Sequence, residues 1–314
     1  MKKIVLFIFL FASLTAAFSQ TDPQITQYML YPTSFNPAVV GESDMIQVSG
    51  IHRNDWIGMR NATSATIFQL SAPFKLWGKK NGIGLQFKND QVGLFYYQVI
   101  HLQYAYKKQL AGGQLSIGMN MGALNAGFHG DSIIIPENLG GYHQGKSADP
   151  ALQMNNATGT AFDLGLGAWY SNKKFSAGIS YLSLTNPTIE WTDKNTLEMF
   201  GTLYLTGAYN FRLANPKFLL SPSALLKTNF TVAQVDVSAL LKYDERFWGG
   251  LAYRWTESIG ILLGMNIVEG LSAGYSYDIP LKTLNGWGSH EFFVRYEFAL
   301  AGRNKNKHKS VRLL

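Results

Sequence analysis

The sequence predicts an all-β fold, a transmembrane antiparallel β-barrel of about 14 strands with both chain ends on the periplasmic side. Composition, alternation and the lengths of the connections predict it. Of the 314 residues, 46% are hydrophobic and 14% aromatic, and only 15% are charged, against about 25% in soluble domains. The longest apolar run, from Ile4 to Ala12, is far shorter than the roughly 20 residues of a membrane-spanning helix. A helical membrane protein is therefore excluded.

Residues of opposite character alternate along most of the chain. Between Gly82 and Lys88 every second residue is large and apolar, and between His290 and Phe298 one face is largely aromatic while the other carries Glu291, Arg295 and Glu297. A period of two indicates strands with two different sides. Gly-rich strands that end in aromatic residues are typical of membrane barrels with aromatic girdles. Gly84, Gly165 and Gly167 fall inside such strands, where they are expected to relieve packing or to allow curvature.

The alternation predicts strands at fourteen places. An even number closes a barrel without leaving an unpaired edge in the lipid. The predicted strands are Met45–His52, Thr63–Ser71, Gly82–Lys88, Tyr97–Lys107, Gln114–Ala123, Phe162–Tyr170, Phe175–Ser183, Leu203–Leu213, Leu219–Phe230, Gln234–Tyr243, Phe247–Trp255, Ser258–Val268, Leu271–Asp278 and Glu291–Phe298.

Connection lengths agree with this topology, because bacterial barrels have short periplasmic turns and longer outer loops. The even-numbered connections 171–174, 244–246 and 269–270 are short, and the two longest, Leu124–Ala161 and Leu184–Thr202, are odd-numbered. The odd connections 231–233 and 256–257 are short as well.

The chain divides into four parts. Lys2 and Lys3, the apolar run and the small residues around Ala17 predict a cleaved signal peptide over residues 1–19. Residues 20–44 form a periplasmic N-terminal segment, 45–298 the barrel and 299–314 a basic tail. Export of this kind predicts a location in the bacterial outer membrane, in contact with its lipids. The chain has no Cys, so disulfides have no part in its stability.

The basic excess is confined to the two ends. The formal net charge is +7; Lys2 and Lys3 leave with the signal peptide, and the tail supplies the remainder through Arg303, Lys305, Lys307, Lys309 and Arg312. The barrel is formally neutral, which removes the support for nucleic-acid binding. Three lysine pairs fall on or beside predicted periplasmic turns, and they are interpreted either as a basic face that docks a partner or as lysines that sit at anionic headgroups or keep the turns soluble: Lys79-Lys80, Lys107-Lys108 and Lys173-Lys174.

No pattern indicates an enzyme, a cofactor or a metal site. The six histidines are scattered without metal-ligand spacing, and phosphate-binding or nucleophile motifs are missing. A hydrolase with a Ser and a His brought together in space remains an alternative. Inward residues on several strands, among them Lys242 and Arg254, predict either a pore lining or an ion-paired wall, so a channel for a hydrophobic or small polar solute is a second alternative.

The N-terminal segment is rich in Pro and contains aromatic residues that must pack on something. It begins Asp22-Pro23-Gln24, continues with Gln27-Tyr28-Met29 and ends with Asn36-Pro37-Ala38-Val39-Val40-Gly41. Two interpretations stay open. The segment tucks against the barrel rim or into the lumen, or it presents a docking surface.

These motifs closely resemble the PorP/SprF family of type IX secretion outer-membrane proteins. Arg53-Asn54-Asp55-Trp56 is similar to the family's Arg-x-Gln-Trp element, with Asp55 in place of Gln. Residues 70–74 followed by 79–84 resemble its next strand, turn and strand, and Ser289-His290-Glu291 resembles the start of its last strand. The resemblance covers the mature chain and is most specific between Asp22 and Gly84.

The resemblance implies a non-enzymatic barrel component of type IX secretion that anchors or couples other proteins. Its partners would be periplasmic secretion components, including a peptidoglycan-binding lipoprotein, and secreted or surface-anchored cargo. Gliding motility is one setting in which such cargo acts. The residues expected to bind partners are Asp22, Pro23, Gln24, Gln27, Tyr28, Asn36, Pro37, Arg53 and Trp56.

Overall fold

A computed structural model describes residues 22–133, 155–192, 195–281 and 288–299. The predicted signal peptide and nearly all of the basic tail lie outside these ranges. The strands are β1 Ile46–Asn54, β2 Ser64–Leu76, β3 Lys79–Val92, β4 Phe95–Leu110, β5 Gly113–Phe128, β6 Ala157–Ser171, β7 Phe175–Leu182, β8 Thr188–Thr192, β9 Asn195–Glu198, β10 Thr202–Tyr209, β11 Phe211–Arg212, β12 Phe218–Thr228, β13 Ala233–Tyr243, β14 Phe247–Arg254, β15 Ser258–Val268, β16 Leu271–Pro280 and β17 Ser289–Phe298.

Fifteen of these strands form one antiparallel sheet that closes on itself. Each barrel strand pairs with its neighbour in the chain, β10 bridges β7 and β12, and β1 pairs with β17 in a register that sets Ile46 opposite Phe298. Because β11 is a two-residue continuation of β10, the barrel has fourteen strands. The predicted all-β antiparallel barrel of about 14 strands is confirmed, and the periplasmic position of the two chain ends stays a prediction.

The two sides of the barrel differ as the alternation predicts. Ile83, Leu85, Phe292 and Val294 are exposed on the outside, whereas Glu291 is fully buried on the inside. Apolar side chains face outward because a lipid solvent favours them, and polar side chains face inward, where they can pair. Among the described residues, helices with the length and hydropathy of a membrane crossing are absent.

The two ends of the barrel carry different connections. At the end called here the turn end, β1 begins, β17 ends and the connections are short: 77–78, 111–112, 172–174, 213–217, 244–246 and 269–270. The opposite end, the loop end, carries 55–63, 93–94, 129–156, 183–201, 229–232, 255–257 and 281–288. The predicted parity of short and long connections is thus reproduced in the observed topology.

Some local expectations need correction. The predicted strand Leu203–Leu213 is interrupted at Asn210, and the predicted loop Leu184–Thr202 contains the β8–β9 hairpin. Several strands are longer than the apolar alternation, because pairing continues beyond the lipid layer. Lys107 lies within β4 and not at a turn: its ammonium group points inward and donates to Ala38 O at 3.1 Å.

Residues 22–44, called the strap, fill the interior of the barrel. The strap has no strand; it makes three short 3₁₀ turns at Tyr28–Leu30, Pro32–Ser34 and Pro37–Val39. Its middle, from Thr26 to Gly41, is almost entirely buried. Between the two positions left open by the sequence, rim or lumen, the structure shows the lumen.

The strap runs the full height of the barrel. Asp22 lies beside Lys227, next to the last residue of β12, and therefore at the loop end. Glu42 accepts from Lys80 Nζ at 3.0 Å and from the Ser171 hydroxyl, both at the turn end. The chain thus enters at the loop end, descends through the lumen and turns back upward into β1.

Candidate functional site

The head of the strap is fixed by charged and amide side chains of the barrel wall. Lys227 Nζ donates to the Asp22 carbonyl at 3.2 Å, Lys88 Nζ lies 3.8 Å from the Asp22 carboxylate, and the Tyr204 hydroxyl donates to that carboxylate. Gln24 exchanges amide hydrogen bonds of 2.7 and 2.8 Å with Gln234. Burial raises the pKa of Asp22, but the two lysines outweigh it and hold the pKa below its usual value.

The buried carboxylate of Glu291 binds the strap backbone next to the head. The two oxygens of Glu291 accept from the N–H groups of Thr26 and Gln27, each at 2.8 Å. The Thr26 hydroxyl donates to Asp278 at 2.6 Å. Hydrogen bonds to a charged acceptor are stronger than neutral ones, so this part of the strap is firmly placed against β16 and β17.

Arg53 connects these groups. Its guanidinium lies 2.8 Å from Asp55, 2.8 Å from Asp278 and 3.3 Å from Glu291, and it donates to the Thr26 hydroxyl at 2.9 Å. Buried charges of this kind are tolerated only when they are paired and hydrogen-bonded. Asp55, the residue that departs from the family motif, is one of these pairing partners.

A second arginine extends the network toward β13. Arg254 pairs with Asp236 at 3.0 Å and with Asp278 at 3.3 Å, and both ends of the pairs are buried. The interior is therefore an ion-paired wall, one of the two interpretations of the inward charges.

Tyr28 anchors the middle of the strap. Its hydroxyl accepts from Ser223 at 3.0 Å and lies 3.2 Å from the Ser238 hydroxyl, while its ring packs in a cluster with Phe35 and Tyr204. Tyr28 is thus a fully buried, hydrogen-bonded core residue of the lumen.

The Asn36-Pro37 motif forms a pinned turn. Asn36 Oδ1 accepts from Ala38 N at 3.0 Å and caps the third 3₁₀ turn, with Pro37 in the first turn position. Asn36 Nδ2 donates to the carbonyls of Ala168 at 3.0 Å and Ile179 at 3.3 Å. Asn36 Oδ1 thus stabilises the turn itself, and Asn36 Nδ2 attaches the turn to β6 and β7.

Glycines of the wall make room for the strap. A Cβ on Gly82 would lie 1.9 Å from Val40 O, and one on Gly118 would lie 2.5 Å from Ala38 Cα. Gly41 has a φ of +66°, and its own Cβ position would be 2.5 Å from Gly82 Cα. The strap backbone and the wall backbone are in direct contact at these glycines, which requires residues without a side chain.

The candidate residues other than Trp56 lie on the strap or in contact with it, but they are spread along the length of the strap. Asp22, Pro23 and Gln24 lie half-buried at the loop end, whereas Gln27, Tyr28, Asn36, Pro37 and Arg53 are buried in the lumen. Trp56 lies in the connection 55–63 and adopts a positive φ of 45°. The buried members hold the strap to the wall; their predicted part in partner binding stays a prediction.

Several residues of this arrangement were not singled out from the sequence. Lys88, Lys227, Tyr204, Asp236 and Asp278 hold the strap, and each lies at an inward position of its strand. Their alternation with apolar neighbours was the available signal, but it does not say which of them meets which part of the strap.

Another inward cluster bears on the hydrolase alternative. His101 Nε2 lies 2.8 Å from Asp163, as a histidine of a catalytic triad would. Its Nδ1, however, is 3.0 Å from the Asn120 amide, so an amide stands where a triad places its nucleophile. In the described ranges, groups of three or more His, Asp or Glu suited to a metal ion are absent.

A closed barrel with an apolar exterior and a strap-filled interior defines the class: an outer-membrane β-barrel protein. The chain belongs to the family described as type IX secretion system membrane protein PorP/SprF, which it matches over residues 17–296. The suspected family is confirmed.

Comparison with solved structures finds other barrels at low identity. The toluene transporter TbuX of Ralstonia pickettii has a TM-score of 0.49 and 11% identity over 87% of this chain and 94% of its own. For the CymD monoaromatic hydrocarbon channel the values are 0.47 and 12%, over 88% and 94%. The outer membrane protein Omp33 of Acinetobacter baumannii has 0.47 and 8%, over 81% and 98%. No curated protein matches the chain.

Proposed function

We propose that this protein is a non-enzymatic anchor of the type IX secretion system, a barrel that holds secretion components and cargo at the outer membrane. The observation that carries the proposal is the strap. A lumen crossed by a strap that hydrogen-bonds to Glu291, Asp278 and Gln86 is built as a rigid support. A wide pore would leave these polar groups to water.

In this proposal the turn end faces the periplasm, as in bacterial barrels whose chain ends meet there. Periplasmic components, including a peptidoglycan-binding lipoprotein, contact the turn end, and secreted or surface-anchored cargo contacts the loop end. The buried candidate residues take part by setting the position of the strap, whose two ends reach the two faces.

Charge at the turn end supports this orientation. Exposed basic residues occur beside outward aromatic residues on several turns, for example Lys174 before Phe175 and Arg246 over the ring of Phe247 at 5.5 Å. Aromatic girdles with adjacent Lys and Arg suit a phospholipid headgroup layer.

The test is affinity capture of the tagged full-length protein from mildly solubilised outer membranes, followed by identification of the proteins that come with it. Co-purification of type IX components supports the anchor. Recovery of the barrel alone, even after crosslinking, together with solute uptake by reconstituted vesicles, would favour the channel instead.

A control is needed, because a buried site residue can lose partners simply by unfolding the barrel. Tyr28→Phe keeps the ring of Tyr28 in its cluster and removes only the hydroxyl, whereas Trp56→Ala changes a residue of the connection 55–63. Partner loss in Trp56→Ala with a folded barrel would assign the loop 55–63 to the interface.

A further inference from the structure

The outward face of the four longest neighbouring strands changes from apolar to polar between two rows of the sheet register. Strands β3 to β6 have 14–16 residues, whereas β12 to β17 have 8–11. The last apolar row consists of four exposed residues that lie opposite one another: Phe87, Ile100, Ala123 and Phe162. The next outward residue of each strand toward the loop end is polar. These four residues, called here the amide row, are Asn89, Gln98, Asn125 and Thr160.

The same step is not seen on another side of the barrel. On β14, β15 and β16 the outward residues Tyr253, Ile259 and Ile279 lie opposite one another, one residue from the loop-end tip of their strands. All three are apolar or aromatic and exposed. The amide row is therefore a feature of one side of the exterior and not of the loop end as a whole.

Hydrogen bonds join the amide row into a chain that runs in one direction. Thr160 Oγ1 donates to Asn125 Oδ1 at 3.3 Å, and Asn125 Nδ2 donates to Gln98 Oε1 at 3.4 Å. Gln98 Nε2 in turn donates to Asn89 Oδ1 at 3.1 Å. Each bond fixes how the next amide group is turned. Because an amide nitrogen carries two N–H bonds, Gln98 and Asn125 each keep one N–H bond for a ligand.

The sheet behind the amide row is held from the inside. Leu124 and Ala126, on either side of Asn125, face inward and pack in a buried cluster with Ile189 of the β8–β9 hairpin. Trp191 Nε1 donates to Ala126 O at 3.1 Å, and a Cβ on Gly159 of β6 would lie 2.5 Å from Ile189 Cγ2. The hairpin is thus in direct contact with the strands that carry the row. A surface fixed in this way loses little freedom when a ligand binds.

The position of the row points to a lipid headgroup as its ligand. Residues on the same face of a strand are about 6.6 Å apart, so the amide row directly continues the lipid-facing surface of Phe87 and Ile100. The row carries no Lys, Arg, Asp or Glu, and its amide and hydroxyl groups both donate and accept hydrogen bonds, as sugar hydroxyl groups do. Phosphate groups are matched better by charged donors, which the barrel carries at the turn end, for example Lys174 and Arg246.

We propose that the amide row binds the sugar headgroup of a glycolipid in the outer leaflet of the outer membrane, with Gln98 and Asn125 as the principal hydrogen-bond donors. This site lies outside the proposed function and shares with it only the orientation of the barrel, in which the loop end faces outward. Glycolipid bound there lies against β3 to β6, the side of the barrel where the strands extend past the apolar rows.

Native mass spectrometry of the full-length barrel tests the proposal. The barrel is reconstituted in nanodiscs that contain equal amounts of lipopolysaccharide without O-antigen and phosphatidylglycerol, and the lipids that remain bound after release are counted. The double variant Gln98→Leu/Asn125→Leu removes both amide groups at outward positions. Gln109→Leu changes an exposed amide at the turn end of β4 and is the matched control. The difference in gel mobility between the folded and the heat-denatured barrel shows that each variant is folded.

The wild-type barrel and Gln109→Leu should retain lipopolysaccharide, and the double variant should retain about tenfold less, because two hydrogen bonds to the ligand are lost. Equal retention by all three proteins would overturn the proposal. An equal loss in Gln109→Leu and the double variant would overturn it too, since binding would not depend on the amide row. Retention of phosphatidylglycerol in place of lipopolysaccharide would show that phosphate and not sugar is recognised. None of these results bears on the capture of secretion components, so the anchor is tested separately.

Discussion

The contact between Gly82 and the strap gives the sharpest test of the packed lumen. In Gly82→Ala the new Cβ would lie 1.9 Å from Val40 O, whereas ordinary van der Waals contact begins at 3.4 Å. The strap backbone would have to retreat by about 1.5 Å, although Gly41 N donates to Ser71 Oγ at 2.8 Å in the same place. Overpacking of this kind costs roughly 1–3 kcal/mol.

Gly207→Ala is the matched control, since it is also a strand glycine. The nearest heavy atom to its new Cβ is 4.0 Å away. Alanine there should leave stability unchanged or raise it by about 0.5–1 kcal/mol, because glycine weakens a strand interior. The free energies of unfolding of the two variants are compared by urea unfolding in detergent micelles. The folded fraction is measured from the difference in gel mobility between the folded and the heat-denatured barrel. Equal unfolding midpoints for the two variants would refute the strap contact.

Three further outcomes follow from the site. Arg53→Met removes the guanidinium shared by Asp55, Asp278 and Glu291, of which Asp278 keeps Arg254, and should cost about 3–5 kcal/mol. The exposed Arg246→Met should change the unfolding free energy by no more than about 0.5 kcal/mol, and similar losses in both variants would mean that the buried network is not formed. Tyr28→Ala should lower the free energy of unfolding by roughly 3–5 kcal/mol, because it leaves a cavity in the core. Tyr28→Phe should lower it by about 1 kcal/mol, because Ser223 and Ser238 still bond to each other at 2.7 Å. Equal unfolding midpoints for the two variants would place the ring outside the core. The pKa of Asp22 is lowered in the folded barrel, so its stabilisation of the strap head is present above the unfolded value of about 4 and is lost as the pH falls through the folded pKa. The urea unfolding midpoint should therefore fall in that acid range, and the fall should be smaller in Asp22→Asn; equal falls in the two proteins would mean that the Asp22 carboxylate does not stabilise the folded barrel.

The fold could be predicted because contact with lipid requires apolar residues at alternate positions of the strands, and this alternation is visible in the sequence. Every second residue from Ile83 to Phe87 is apolar, since the outside of a barrel must face lipid while the inside can pair. Strand ends were less predictable, because pairing runs past the apolar zone to Val92 in β3 and to Leu110 in β4.

The lumen was harder to predict, because its contacts join residues far apart in the chain. Asp22 meets Lys227, and Thr26 meets Asp278, pairs that no local pattern connects. The glycines were a partial signal: Gly84 and Gly167 were interpreted as relief of strand packing, and the structure shows that they make room for Val40 and Asn36 of the strap. The family motifs of the N-terminal segment are, in physical terms, the residues that fit this lumen.

The central claim is that the strap fills the lumen, so that the protein acts as a closed anchor. Single-channel recording of the full-length barrel in planar bilayers tests it most directly, with a variant lacking residues 22–44 for comparison. A lumen filled by the strap should give no steady open state for the full-length protein and porin-like steps once the strap is removed. A stable open conductance of the full-length barrel, unchanged by removal of the strap, would show that the strap does not close the lumen.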